Sequence, residues 1–212
     1  MNKKRLALSA AFAAVITGGA GSVVAARAQD AEPPFINVGS YAIAIPLGDT
    51  HNFVPNLSWF GANWEGQWRY KPKTSVGVSL GLQDFFDQTR GTTVFSSGAV
   101  TGQQSRELLL GTVMGIGRYY PGPTLGRGPY FGLGAGGQFA QQYYQLGVTN
   151  PIGRSAFHFA VAPEVGVITP VMEGLDAVFT LRFTATTSAG NYLGGGARSF
   201  KFITLGFGMA EF

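Results

Sequence analysis

Apolar residues recur at every second position along most of the chain beyond residue 35. At 200–212, "FKFITLGFGMAEF", Ile203, Leu205, Phe207 and Met209 alternate with Thr204, Gly206, Gly208 and Ala210. A period of two marks a β-strand with one apolar face. Eight segments carry it, at about 36–47, 57–70, 75–85, 106–120, 129–144, 156–169, 175–187 and 200–212. Gly, Pro, Asn and Asp cluster between them, as turns require. No linker divides the chain, and no internal repeat is strong enough for a propeller or solenoid.

The second face of each strand decides what kind of β-protein this is. In 57–70, Phe60, Ala62, Trp64, Gly66, Trp68 and Tyr70 oppose Trp59, Gly61, Asn63, Glu65, Gln67 and Arg69. The third segment sets Val76, Val78, Leu80 and Leu82 against Gly77, Ser79, Gly81 and Gln83. The fourth sets Leu108, Leu110, Met114 and Ile116 against Gly111, Val113, Gly115 and Gly117. The fifth sets Phe131, Leu133 and Phe139 against Gly132, Gly134, Gly136 and Gln138. The sixth and seventh set Phe157, Phe159, Val161, Phe179 and Leu181 against His158, Ala160, Glu164, Thr180 and Arg182. A face meeting water should be roughly a quarter to a third charged. Here it is mostly glycine, alanine, serine and threonine. Glycine packs nothing on a solvated strand but makes room inside a narrow barrel. The Gly/polar face is therefore expected inside and the Leu/Val/Phe face in lipid.

Connection lengths agree with that expectation. Longer ones ("GDTHNFVPN", a polar loop from about Asp84 to Ser105, 145–155 and 188–199) alternate broadly with short ones ("KPKT", "PGPTLGRG", "PVMEG"). In hydrocarbon every backbone polar group must be bonded internally, so strands can span only as a closed barrel. The expected fold class is all-β, an eight-stranded antiparallel up-and-down transmembrane β-barrel over 35–212. Aromatic residues near the segment ends fit the two interfacial girdles of such a barrel: Trp59, Phe60, Trp68, Tyr70, Tyr119, Tyr120, Tyr130, Tyr143 and Tyr144.

Composition sharpens the picture at the N-terminus. Lys3, Lys4 and Arg5 precede an Ala-rich apolar stretch, and Ala26-Arg27-Ala28 supplies a small-x-small cleavage pattern. Residues 1–28 read as a signal peptide and 29–34, "QDAEPP", as a short polar lead-in. Four of the chain's 15 basic residues and none of its 11 acidic ones precede residue 29, so the remainder is neutral. The net charge of +4 belongs to the export segment and gives no support to nucleic-acid binding. With no cysteine there is no disulfide framework and no thiolate chemistry. Only 12% of residues are charged, about half the usual share of a soluble domain.

The export segment, "WEGQWRYKPKTSVGVSLGL", "GIGRYYPGP" followed by "GPYFGLGAGG", and Phe212 together resemble the small outer-membrane β-barrel superfamily of Gram-negative bacteria, the OmpA/OmpX/OmpW type. The resemblance implies residence in the outer membrane among its lipid and lipopolysaccharide. It also implies insertion by the barrel-assembly machinery, with Phe212 as part of the assembly signal.

The inward polar set, Asn63, Glu65, Gln67, Arg69, Gln138, His158, Glu164 and Arg182, is the candidate site. Its two acids and two bases balance, and a dry lumen demands pairing. The expectation is a salt-bridged plug, in a monomeric protein with a structural or surface-exposed role. A narrow channel for small apolar solutes and a soluble exported barrel that binds a lipid are the alternatives. No catalytic set is expected. Ser155 lies three residues from His158 and so on the opposite strand face, away from the base that would activate it. No acidic cluster has metal-ligand spacing. Glycines 132, 134 and 136 alternate along a strand rather than cradling phosphate, so no cofactor is expected. Phe212 is out of phase with Met209. It is expected either to turn at the rim through a bulge or to close the lower end of the lumen.

Overall fold

The computed structural model describes residues 35–95, 98–122, 127–147, 151–190 and 196–212; the expected signal peptide 1–28 and lead-in 29–34 lie outside them. Eight strands close into a barrel: β1 (Phe35–Leu47), β2 (Phe60–Lys71), β3 (Thr74–Phe95), β4 (Gly98–Tyr119), β5 (Gly128–Leu146), β6 (Ile152–Met172), β7 (Leu175–Thr186) and β8 (Lys201–Glu211). One short helix, α1 (Asp49–Phe53), follows β1. Every strand pairs antiparallel with its sequence neighbour, and β8 returns to β1 from Leu47↔Lys201 to Asn37↔Glu211. Closure leaves no unpaired edge along the barrel wall.

The alternation becomes an inside and an outside. Val76, Val78, Leu80, Phe131, Leu133, Phe159, Phe179 and Phe207 are exposed around the wall, while Ser75, Ser79, Gln138, His158 and Glu164 are buried in the lumen. On β4 the assignment made from sequence is reversed. Leu108, Leu110, Met114 and Ile116 point into the lumen and are buried, whereas Val113 is 60% exposed and Gly115 lies outside. The reason is volume. A Cβ on Gly134 would meet Met114 at 3.2 Å and Ile116 at 3.4 Å, and Ala160 and Ala162 pack on the same pair. Small inward residues on β5 and β6 leave space that the large side chains of β4 fill.

A second correction concerns the expected loop 84–105. β3 and β4 pair without interruption from Thr74↔Tyr119 to Phe95↔Gly98, so these residues form a long hairpin. β2 leaves β3 at Asp84 and β5 leaves β4 at Gln104, so the hairpin tip runs beyond the barrel wall. Polar composition suggested a loop, but cross-strand hydroxyl pairs stabilise a solvated hairpin too. The Thr92 and Thr101 hydroxyls lie 2.8 Å apart.

The lumen is filled in layers. At the short-turn end Ile36, Val38, Tyr120, Tyr130, Ile168 and Val178 form an apolar cluster against which Phe212 packs. Phe212 thus faces inward, the second of its two expected orientations. At the long-loop end Phe53 of α1 and Val54 just after it pack with Phe85, Leu108, Phe200 and Phe202. Several polar contacts hold α1 in place. Arg106 donates to the Phe53 carbonyl at 3.2 Å, Ser199 donates to Asp49 at 3.1 Å, and the Lys201 amide donates to Thr50 Oγ1 at 2.9 Å.

Candidate functional site: an ion-paired ring across the lumen

Between the apolar layers lie four charged side chains from four strands. Each is placed by strand parity: Glu65 on β2, Arg118 on β4, Glu164 on β6 and Arg182 on β7. The charges alternate around a ring. Arg118 Nη2 contacts Glu65 Oε2 at 2.5 Å and Arg118 Nε contacts Glu164 Oε1 at 2.5 Å. Arg182 closes the ring, donating from Nε to Glu164 Oε2 at 2.8 Å and from Nη2 to Glu65 Oε1. All four carboxylate oxygens are engaged by a guanidinium. Glu65, Arg118 and Glu164 are almost fully buried, while the side chain of Arg182 keeps 13% of its surface accessible.

Neutral groups extend the hydrogen bonding, and Arg118 Nη1 is left buried with no hydrogen-bond partner among the described residues. Asn63 Nδ2 donates to Glu65 Oε1 at 2.8 Å and Gln67 Nε2 to Glu65 Oε2 at 3.1 Å. Ser75 donates to Gln67 Oε1 at 2.6 Å, and Ser79 to Asn63 Oδ1 at 2.9 Å. The Arg118 guanidinium stacks 4.2 Å over the Tyr130 ring, whose hydroxyl lies 2.6 Å from Thr180 Oγ1. Glycine makes the space: a Cβ on Gly132 would fall 2.6 Å from Glu164 Oε1. Burial of ions is costly, and a neutral ring with every carboxylate oxygen engaged keeps that cost tolerable. The arrangement provides charge compensation and rigidity across the lumen.

Of the polar residues expected inside, the structure joins Asn63, Glu65, Gln67, Glu164 and Arg182 in this network. Arg69 keeps lumen parity but is exposed at the end of β2, where the register with β3 shifts. His158 is buried nearer the long-loop end. Its Nδ1 lies 2.8 Å from the Thr187 carbonyl oxygen, and its ring packs edge-on against Phe200. Gln138 is fully buried, and neither of its amide atoms has a hydrogen-bond partner among the described residues.

Arg118 takes the position that Arg69 was expected to fill. Its signal was in the sequence: it shares parity with Leu110, Met114 and Ile116, and a charge within a spanning strand belongs in the lumen. Of the expected girdle, Trp59, Phe60, Trp68, Tyr70 and Tyr119 are exposed, and Tyr143 and Tyr144 are half-buried. Tyr120 and Tyr130 are not girdle residues. Both rings are buried in the lumen, 5.8 Å apart, because Tyr130 shares parity with Gly132 and Gln138 and Tyr120 with Arg118.

No family model matches the sequence, and no curated protein matches it either. Among solved structures the barrel is similar to Ail, the attachment invasion locus protein of Yersinia pestis, in complex with the heparin analogue sucrose octasulfate. The TM-score is 0.52 at 9% identity, over 85% of this chain and 99% of that one. A second crystal structure of Ail gives a TM-score of 0.50 at 12% identity, over the same shares of the two chains. Neisserial surface protein A gives 0.47 at 11% identity, over 86% of this chain and 99% of that one. Strand number, closure and order carry the likeness where sequence does not, and the chain has the fold of the small eight-stranded outer-membrane β-barrels.

Proposed function

We propose that this protein is an integral outer-membrane β-barrel with a closed lumen and a structural or surface-exposed, non-enzymatic role. One observation carries the reading. Large apolar side chains cover the outside of the wall, while the mid-barrel charges are confined to a neutral ring inside. In water such an apolar belt would far exceed the few hundred Å² of patch a soluble monomer tolerates. In lipid it is the solvated face. The ion ring supports closure because it ties four strands together across the bore, with apolar layers above and below it.

Fractionation of expressing cells tests the membrane assignment. A heat-modifiable band in the outer-membrane fraction is expected, and a monomer that stays soluble without detergent overturns it. Planar-bilayer recording tests closure. No steady conductance above that of the bare membrane is expected, and a stable open level refutes the plug.

A further inference from the structure

The long hairpin carries a sheet edge that barrel closure does not use. β2 pairs with β3 only as far as Phe60↔Asp84, whereas β3 continues against β4 to Phe95↔Gly98. Asn56 donates to Asp87 Oδ1 at 2.7 Å at the foot of this stretch. Beyond it Gln88, Thr89, Arg90, Gly91 and Thr92 are all exposed. The hydrogen-bond phase shows which backbone groups point out of the edge. The Gly147 amide donates to the Gln103 carbonyl at 2.6 Å, so Gln103 bonds toward β5. Backbone groups alternate sides along an antiparallel strand, so Gly102 and Gln104 bond toward their β3 partners, Gly91 and Thr89. Gln88, Arg90 and Thr92 therefore direct their N–H and C=O groups away from β4, on the side where β2 has ended.

Each of these residues offers one donor and one acceptor, repeating about every 6.8 Å along the strand. The row is unbroken, because no register shift interrupts the β3–β4 pairing. Such an edge is a template for another strand, and proteins usually blunt it with charges, proline or a bulge. From Gln88 to Gln104 the chain has one charged residue, Arg90, and no proline, and Thr92-Thr93-Val94-Phe95 is a strand-favouring run. Water solvates these groups singly, whereas an extended main chain matches their repeat and bonds them together. Arg90 sets a preference for the occupant. Opposite charges facing across a strand pair attract and like charges repel. A second copy of this edge brings the same positive charge, so the favoured partner is a different chain with an acidic residue.

We propose that the β3 edge from Gln88 to Thr92 is a docking site for an extended segment of another protein, bearing an acidic residue, which adds as a strand beside β3. Main-chain hydrogen bonds supply the attachment and Arg90 supplies the charge selectivity. This goes beyond the structural or surface-exposed role proposed above. It does not depend on where the barrel resides, since the edge belongs to the hairpin itself.

The test uses the whole barrel purified in detergent, read by amide chemical shifts and hydrogen exchange. The probe is the capped peptide Thr-Val-Thr-Glu-Thr-Val-Thr. The control is the same peptide methylated on every backbone nitrogen, which keeps the side chains and removes the donors. Without peptide, the amides of Gln88, Arg90 and Thr92 should exchange freely while those of Asp87 and Thr89 are protected. With the probe at about ten times its Kd, the three edge amides should exchange about tenfold more slowly. The methylated peptide should leave them unchanged. Thr92→Pro removes an edge-facing N–H and none of the β3–β4 bonds, so it should abolish binding with Asp87 and Thr89 still protected. Lysine in place of the peptide's glutamate should weaken binding to the wild type, and Arg90→Glu should reverse that preference. Edge amides indifferent to the probe, an equal effect of the methylated peptide, or undiminished binding to Thr92→Pro overturns the docking site. A charge preference that Arg90→Glu leaves unchanged overturns the acidic partner. Should Thr92→Pro disturb the hairpin, the comparison of the two peptides on the wild type decides by itself.

Discussion

Replacing Arg118 by methionine tests the ion ring most sharply. The substitution keeps an unbranched side chain of comparable reach and removes one positive charge from a site that is 2% exposed. Glu65 and Glu164 would then share Arg182 alone, leaving one uncompensated negative charge between two apolar layers. The stacking of the guanidinium on Tyr130 is lost as well. Breaking a buried pair by deleting one partner costs about 3–5 kcal/mol, which is roughly two to almost four decades in the folding equilibrium. The assay is urea unfolding of the barrel in micelles or lipid vesicles, followed by heat-modifiable mobility on gels and by tryptophan fluorescence. The double variant Arg118→Met with Glu164→Gln restores neutrality and should recover a large part of the loss, since contacting residues couple. Arg69→Met is the control. This exposed residue at the end of β2 should change stability by no more than about 1 kcal/mol. An Arg118→Met barrel within about 1 kcal/mol of wild type, with no rescue from the second change, would refute the claim that neutrality of the ring matters.

The reversed β4 makes a geometric prediction. The chain has no cysteine, so single cysteines are clean probes. A fluorophore at residue 113 should be quenched by brominated acyl chains, and one at residue 114 should be protected. The glycines give a paired stability test. Gly136→Ala would bring a Cβ to 2.2 Å from the Val113 carbonyl oxygen and should cost about 1–3 kcal/mol, as overpacking does. Gly111→Ala has open space around it and should be tolerated within about 0.5 kcal/mol. Tyr130→Phe removes the hydroxyl partner of Thr180 and should lower stability by about 1 kcal/mol in the same unfolding assay. Backbone amides bonded between β3 and β4 beyond Asp84, such as those of Asp87 and Arg106, should be protected from hydrogen exchange; loop-like exchange there would contradict the long hairpin.

Alternation along the chain was enough to determine eight strands, their order and their antiparallel closure. These depend on local period and on turn residues, both written in consecutive positions. The inside of six strands, β2, β3 and β5 to β8, was also legible, because one parity carried Glu65, Gln138, Glu164 or Arg182, or carried glycine. On β4 the same rule failed. A period of two defines two faces but does not say which is inward, and Leu108, Leu110, Met114 and Ile116 outweighed Arg118. Their inward direction depends on the small residues of β5 and β6 opposite them, which is information held by other strands. The ring itself is of the same kind. Glu65, Arg118, Glu164 and Arg182 are far apart in the chain, and strand shear decides which charge meets which. The long hairpin and the inward Tyr120 and Tyr130 complete the list of what only the tertiary structure decided. Pairing partners and lumen volume act across the barrel, and no window of sequence contains them.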